Sequence, residues 1–107
     1  KGKLKMEKTN AQTLLDKLTG NLKDSVKVDV EGVEFTFLRD NSAYDQMMND
    51  ITTDNKVTPI KDYLLAIVAR EQKEDLLAII NVPGLAGLLA GKVNEVLVPK
   101  INITVKN

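Results

Sequence analysis

The chain has 107 residues, of which 43% are apolar and 28% charged, a balance typical of a folded globular domain. It contains no cysteine, which excludes disulfides and thiolate metal sites, and no histidine, which removes the commonest general base and metal ligand. The 15 basic and 15 acidic residues cancel, so the chain lacks the basic excess of most phosphate-binding proteins.

The sequence predicts a single domain that follows a short leading segment. Residues 1–5 precede Met6, and we expect them to be a non-native remnant left by cloning. Without Lys1, Lys3 and Lys5 the remaining 12 basic and 15 acidic residues give a net charge of −3. No repeat or linker-like stretch divides residues 6–107, which are therefore predicted to form a single α+β domain.

The first predicted element is a short helix over Asn10–Thr19. Asn10 is the expected N-cap, and Gly20 is expected to end the helix. A helix this short is marginal in water unless its apolar side chains dock on something else. Those side chains are Leu14, Leu15 and Leu18.

A β-hairpin is the clearest local signal. Val26 to Leu38 reads VKVDVEGVEFTFL, two alternating runs around a two-residue Glu31-Gly32 turn. The predicted register puts six apolar side chains on one face, and an isolated ribbon is marginal, so helices or another strand must cover that face. The pairs are Val26 with Phe37, Val28 with Phe35, and Val30 with Val33.

Apolar periodicity predicts further helices after the hairpin. One covers Ala43–Thr52 with Ser42 as N-cap, and the next has Thr58 as N-cap and Pro59 at its first position. A segment over Lys73–Val82 could continue from it, and a last helix follows the Pro83-Gly84 break. That helix spans Leu85–Leu97, with Leu85, Leu88, Leu89, Val93, Val96 and Leu97 predicted to face inward.

The most apolar stretch, Leu76–Gly91, is 16 residues long and contains this break, whereas a membrane-spanning helix needs about 20 apolar residues. Membrane association is therefore not expected. The spacing of Gly87 and Gly91 instead predicts a buried helix with close backbone contacts.

The end of the chain alternates strictly, with Ile101, Ile103 and Val105 on one face, and predicts a short strand. This strand could join the hairpin as a third strand, or it could pair with a second copy of the chain, because an exposed strand edge is a template for pairing. The predicted fold class is α+β: a small antiparallel sheet packed against about four to five helices.

The residues provide no catalytic constellation. Ser25 and Ser42 are the two serines, neither lies in a GxSxG motif, and no histidine is available to activate them. The glycines form no phosphate-binding loop, and the oxygen-rich stretch around Asp50 and Asp54 lacks the spacing of a calcium loop. We therefore predict no catalytic residues, no metal site, no cofactor and no enzymatic activity.

Two features predict a protein-binding surface. Tyr44, Met47 and Met48 share one helical stripe, and methionine adapts to varied partners, although such a stripe is more often core. Ile101, Ile103 and Val105 are the candidates for self-association into a homo-oligomer.

From Val26 to Asn107 the order of signals resembles the phage tail assembly chaperones. The carriers of this resemblance are the strand VEFTF, the helix start YDQMMN, the loop NKVTP, the apolar run DYLLAIV, the Pro83-Gly84 break and the ending PKINITVKN.

The resemblance implies a non-enzymatic chaperone in the cytoplasm of the bacterial host. Such a protein binds the tape-measure protein during tail morphogenesis and helps tail-tube subunits gather on it. A helix-in-groove contact through Tyr44, Met47 and Met48 would suit a long helical partner. The alternatives are a structural tail adaptor that stays in the particle, or a small nucleic-acid-binding regulator, which the net charge of −3 disfavours.

Overall fold

A computed structural model describes residues 9–106, so the predicted remnant at residues 1–5 lies outside the described part. Within it the chain forms five α-helices and a two-stranded antiparallel sheet, which confirms the predicted α+β class. In chain order the elements are α1 (Asn10–Thr19), β1 (Ser25–Val30), β2 (Val33–Leu38), α2 (Asn41–Asp50), α3 (Val57–Ile67), α4 (Lys73–Ile79) and α5 (Leu85–Leu97), with a 3₁₀ turn over Arg70–Gln72 before α4.

The hairpin has the predicted register. Val26 lies opposite Phe37, Val28 opposite Phe35, and Val30 opposite Val33. Glu31 and Gly32 both have positive φ, at 50° and 92°, as a two-residue turn that follows the twist of the strands requires. The Asp29 carboxylate accepts a hydrogen bond of 2.7 Å from the Gly32 N–H and so stabilises the turn.

The outer edge of β2 is covered by the segment between α3 and α4. Val68 leaves α3 to form a β-bridge with Phe37, and the Ala69 N–H donates to the Thr36 carbonyl at 2.8 Å. The Gln72 side-chain amide accepts from the Thr36 N–H and donates to the Glu34 carbonyl, both at 2.7 Å. This bridge ends α3, so α4 does not continue from it.

The predicted C-terminal strand does not join the sheet. Residues 101–106 have no regular secondary structure in the described chain and are exposed. The sheet therefore has two strands in the described range, and the outer edge of β1 has no strand beside it there.

The core lies between the apolar face of the hairpin and helices α2 to α5. Helix α5 packs on β1 and on α3, which in turn packs on α2. The fully enclosed large side chains are Phe37, Leu64, Leu76, Ile80 and Val93. Burial of these apolar surfaces supplies the main driving force for folding.

The observed N-cap residues of two helices lie one or two positions before the predicted ones. Thr9, rather than Asn10, caps α1, since its hydroxyl accepts from the Gln12 N–H and the Gln12 side chain accepts from the Thr9 N–H. Asp40, rather than Ser42, caps α2 through the Ala43 N–H.

Helix α3 begins at Val57, before the predicted cap Thr58, and has no side-chain cap. This places Pro59 third in the helix, where an N–H would still have no partner within the helix.

Helix α5 has the predicted bounds, and Leu89, Val93 and Leu97 are buried as predicted, but its buried face is shifted. Leu88 was predicted to face inward, yet it is 76% exposed, whereas Ala86 and Ala90 are buried. These small side chains allow α5 to lie close to its neighbours. The predicted close contact at Gly87 and Gly91 is wrong, because a Cβ at either position would meet no atom within 4 Å.

Candidate partner-binding surfaces

An apolar groove of about 660 Å³ lies between the tip of the hairpin and α4. We call it the hairpin–α4 groove. Its apolar lining comes from both strands, from α4 and from the residues that follow α4. These residues are Val30, Val33, Phe35, Ala78, Ile79, Val82 and Leu85.

Local chain geometry keeps this groove open. Gln72 bonds the outer edge of β2 and so places the start of α4 beside that strand. After α4 the chain turns through Pro83 and Gly84, whose φ of 84° is one that glycine adopts without strain, and α5 then begins. Val33 and Val82 remain more than half exposed, at 56% and 55%.

The charged residues that line the groove are acidic. Glu31 lies in the hairpin turn, and Asp75 lies in the first turn of α4. Both side chains are exposed. An apolar floor with acidic residues at its rim favours a ligand that is itself apolar and carries positive charge.

The sequence-predicted stripe on α2 is divided between core and surface. Met47 is buried at 6% exposure, Met48 is 55% exposed, and Tyr44 lies between these extremes. Of the three, Tyr44 and Met48 are thus accessible to a partner. Their role in binding stays a prediction.

One cavity is lined by Tyr44, from the predicted partner-binding stripe, and by Ile101, from the predicted self-association segment. This cavity has a volume of about 310 Å³ and is also lined by Arg39, Tyr63 and Pro99. The rings of Tyr44 and Tyr63 meet edge to face with centroids 6.0 Å apart. Ile103 and Val105 lie beyond it and are more than four-fifths exposed, at 83% and 84%.

The buried tyrosine in this region serves a structural role. The Tyr63 hydroxyl donates to the Asn94 Oδ1 at 2.8 Å and so joins α3 to α5. Burial, reinforced by Tyr44 and Asp40, raises the pKa of Tyr63 to about 12. The phenol therefore stays protonated at neutral pH and cannot act there as a base.

Alkaline unfolding should report this pKa shift. Unfolded Tyr63 loses its proton near its ordinary pKa of 10.0, whereas folded Tyr63 holds it to about 12, so stability should fall as the pH rises through this interval. The urea midpoint of the wild type should drop more between about pH 9 and about pH 11 than that of Tyr63→Phe. Equal drops in the two proteins would contradict the assignment.

Within residues 9–106, no group of three or more acidic side chains is placed to hold a metal ion. Over the same range no helix has the length and apolarity needed to cross a bilayer.

The hairpin–α4 groove was missed from the sequence because its walls come from separate elements. Val30, Val33 and Phe35 were recognised as part of one apolar face, but that face was expected to be covered by helices or another strand. A signal was available in Ala78, Ile79 and Val82, an apolar set at helical spacing just before the Pro83-Gly84 break.

Comparisons with known proteins agree with this fold. The chain is 76% identical over 102 residues to a protein of Haemophilus phage HP1 (strain HP1c1), described as an uncharacterised 11.3 kDa protein in the lys 3′ region. That match covers 95% of this chain and 100% of the relative. The fold is similar to that of an uncharacterised protein from Bacillus stearothermophilus, with a TM-score of 0.58, 21% identity and coverage of 86% of this chain and 99% of that one.

A family model for phage tail assembly chaperones matches residues 26–107, the range over which the sequence resemblance was drawn. Helix α1 lies before this range, while the hairpin from Val26 onwards, the groove and helices α2 to α5 lie within it. The match spans well over half of the sequence and confirms the resemblance: the chain belongs to the phage tail assembly chaperone family.

Proposed function

We propose that the chain is a non-enzymatic chaperone that binds the tape-measure protein of its phage or prophage during tail morphogenesis. The family match over residues 26–107 carries this proposal. Its proposed place of action is the cytoplasm of the bacterial host, where phage tails assemble. Tail-tube subunits are proposed as further partners, gathered on the chaperoned tape-measure protein.

The surface of the domain suits the capture of an apolar, helical protein. Several large apolar side chains are more than half exposed, which is typical of interaction surfaces when such side chains lie around a groove. Those at the walls of the hairpin–α4 groove are Val33 and Val82. These side chains would cover the apolar stripe of a long helical partner and so keep that partner from aggregating.

Co-expression with the tape-measure protein encoded by the same phage tests the proposal. We expect the tape-measure protein to be insoluble alone, and to become soluble and co-purify when this chain is present. An unchanged soluble fraction without co-purification would contradict the proposal. Mass spectrometry of finished particles is expected to find no copy of the chain, and its presence there would favour a structural adaptor.

We further propose that the C-terminal segment mediates self-association. Ile101, Ile103 and Val105 are exposed, and the outer edge of β1 has no strand beside it in the described residues. An extended segment with this alternation could add to that edge in a second copy.

Sedimentation velocity tests the self-association. The double variant Ile103→Lys/Val105→Lys should shift the protein towards monomer, because charges on an added strand oppose pairing. The control is Leu88→Lys, which alters a side chain that is 76% exposed on α5. The same mass distribution for all three proteins would count against the C-terminal segment.

A further inference from the structure

We propose that the hairpin–α4 groove receives an amphipathic helical segment of the tape-measure protein, one that carries lysine or arginine beside its apolar stripe. This inference rests on the proposed function and names the surface and the chemistry of that binding.

The shape and lining of the groove indicate apolar side chains as the occupant. The groove encloses about 660 Å³, about twice the volume of the cavity that contains Tyr44. Val33 and Val82 are more than half exposed at its walls. A partner that covers them removes apolar surface from water, at roughly 25 cal/mol per Å².

The backbone of β2 indicates a helix rather than a strand. The Thr36 N–H and carbonyl and the Glu34 carbonyl face the outer edge of the sheet, and Gln72 and Ala69 already bond all three. A strand added at this edge would have to displace these bonds. A helix satisfies its own backbone and needs only side-chain contacts.

The acidic residues of the groove indicate that its occupant carries positive charge. Glu31 and Asp75 are the charged residues that line this groove, and both are exposed. Lys92 lines a smaller neighbouring groove of about 250 Å³, where its ammonium lies 4.0 Å from Glu95. An acidic segment would therefore meet repulsion at the groove, whereas a basic one would be attracted and oriented.

Three equally exposed apolar residues provide a matched test of location. Val82 lines the groove, Leu77 lies on α4 outside it, and Met48 lies on α2, with exposures of 55%, 54% and 55%. With the purified tape-measure protein as probe, Val82→Glu should weaken binding at least about tenfold. Leu77→Glu is the matched control and should change it less than about twofold, Met48→Glu tests the competing surface on α2, and circular dichroism should show that all three variants fold.

Two neighbouring acidic residues provide the matched test of charge. Asp75 and Glu74 share the first turn of α4, and Asp75 lines the groove. Asp75→Lys should weaken binding about fivefold at about 50 mM salt and less at about 300 mM, since salt screens exposed charges. Glu74→Lys makes the same change in net charge and should leave binding within about twofold. Overlapping peptides of the tape-measure protein should bind best where an apolar stripe adjoins lysine or arginine.

The possible failures are distinguishable. If the wild type does not bind the tape-measure protein, the proposed function fails and the groove assignment falls with it. If the wild type binds but Val82→Glu binds equally well, the function stands and the groove is not the site. A loss confined to Met48→Glu places the site on α2 instead. Preferred binding of acidic peptides would overturn the proposed chemistry.

Discussion

Replacing Phe37 with alanine is expected to destabilise the fold by about 3–5 kcal/mol, the range for truncating a buried phenylalanine. The Phe37 side chain is 0% exposed, and its backbone bridges to Val68 at the end of α3. The truncation would leave a cavity where the hairpin meets the helices. Urea unfolding followed by circular dichroism should show a lower midpoint with an unchanged slope.

The adjacent residue provides the control for this prediction. Leu38 lies on the same strand but is 51% exposed, so Leu38→Ala should change the free energy of unfolding by less than about 1 kcal/mol. If the two variants lose similar stability, Phe37 is not the junction that the packing indicates.

Introducing glutamate at Met47 should unfold the domain, whereas introducing it at Met48 should leave the fold intact. Met47 is buried in the core, so Met47→Glu should cost more than the ~2–5 kcal/mol of a methionine-to-alanine truncation, because it also buries an unpaired carboxylate. A domain of this size has only about 5–15 kcal/mol of stability, so substantial unfolding is expected. Met48 is 55% exposed, and Met48→Glu should fold with near-native ellipticity.

This pair also tests the binding role predicted for α2. Because Met47→Glu should lose the fold, its loss of partner capture would carry no information about the surface. Met48→Glu, together with a Tyr44→Ala variant, isolates the accessible part of the stripe. A folded Met47→Glu protein with native stability would contradict the burial of Met47.

Local patterns in the sequence were sufficient to predict the hairpin and most helices. Strand alternation and a turn that needs positive φ set the register from Val26 to Phe37 without any knowledge of distant contacts. The bounds of α1 and α5 likewise follow from helical periodicity and from the Pro83-Gly84 break. The family resemblance could also be drawn from the sequence, because it depends on the order of short motifs such as VEFTF, YDQMMN and NKVTP.

Tertiary packing decided which side chains of each apolar stripe are buried. Periodicity assigned Met47 and Met48 to one stripe, yet α2 is rotated so that one is core and the other is surface. In α5 the buried face is shifted from Leu88 towards Ala86 and Ala90, where small side chains allow close packing. A helical pattern gives the width of an apolar face but not which part of it meets a neighbour.

The candidate site was decided by long-range contacts. The hairpin–α4 groove is lined by residues of the hairpin and of α4, and Gln72, 36 residues distant from Thr36 in the chain, bonds the edge of β2 just before α4 begins. That glutamine looks like any surface residue in the sequence. The sequence by itself determined the hairpin, most helices and the family. The groove required knowledge of how distant parts of the chain meet, because its apolar walls and its acidic rim each combine residues of the hairpin with residues of α4 or of the chain after it.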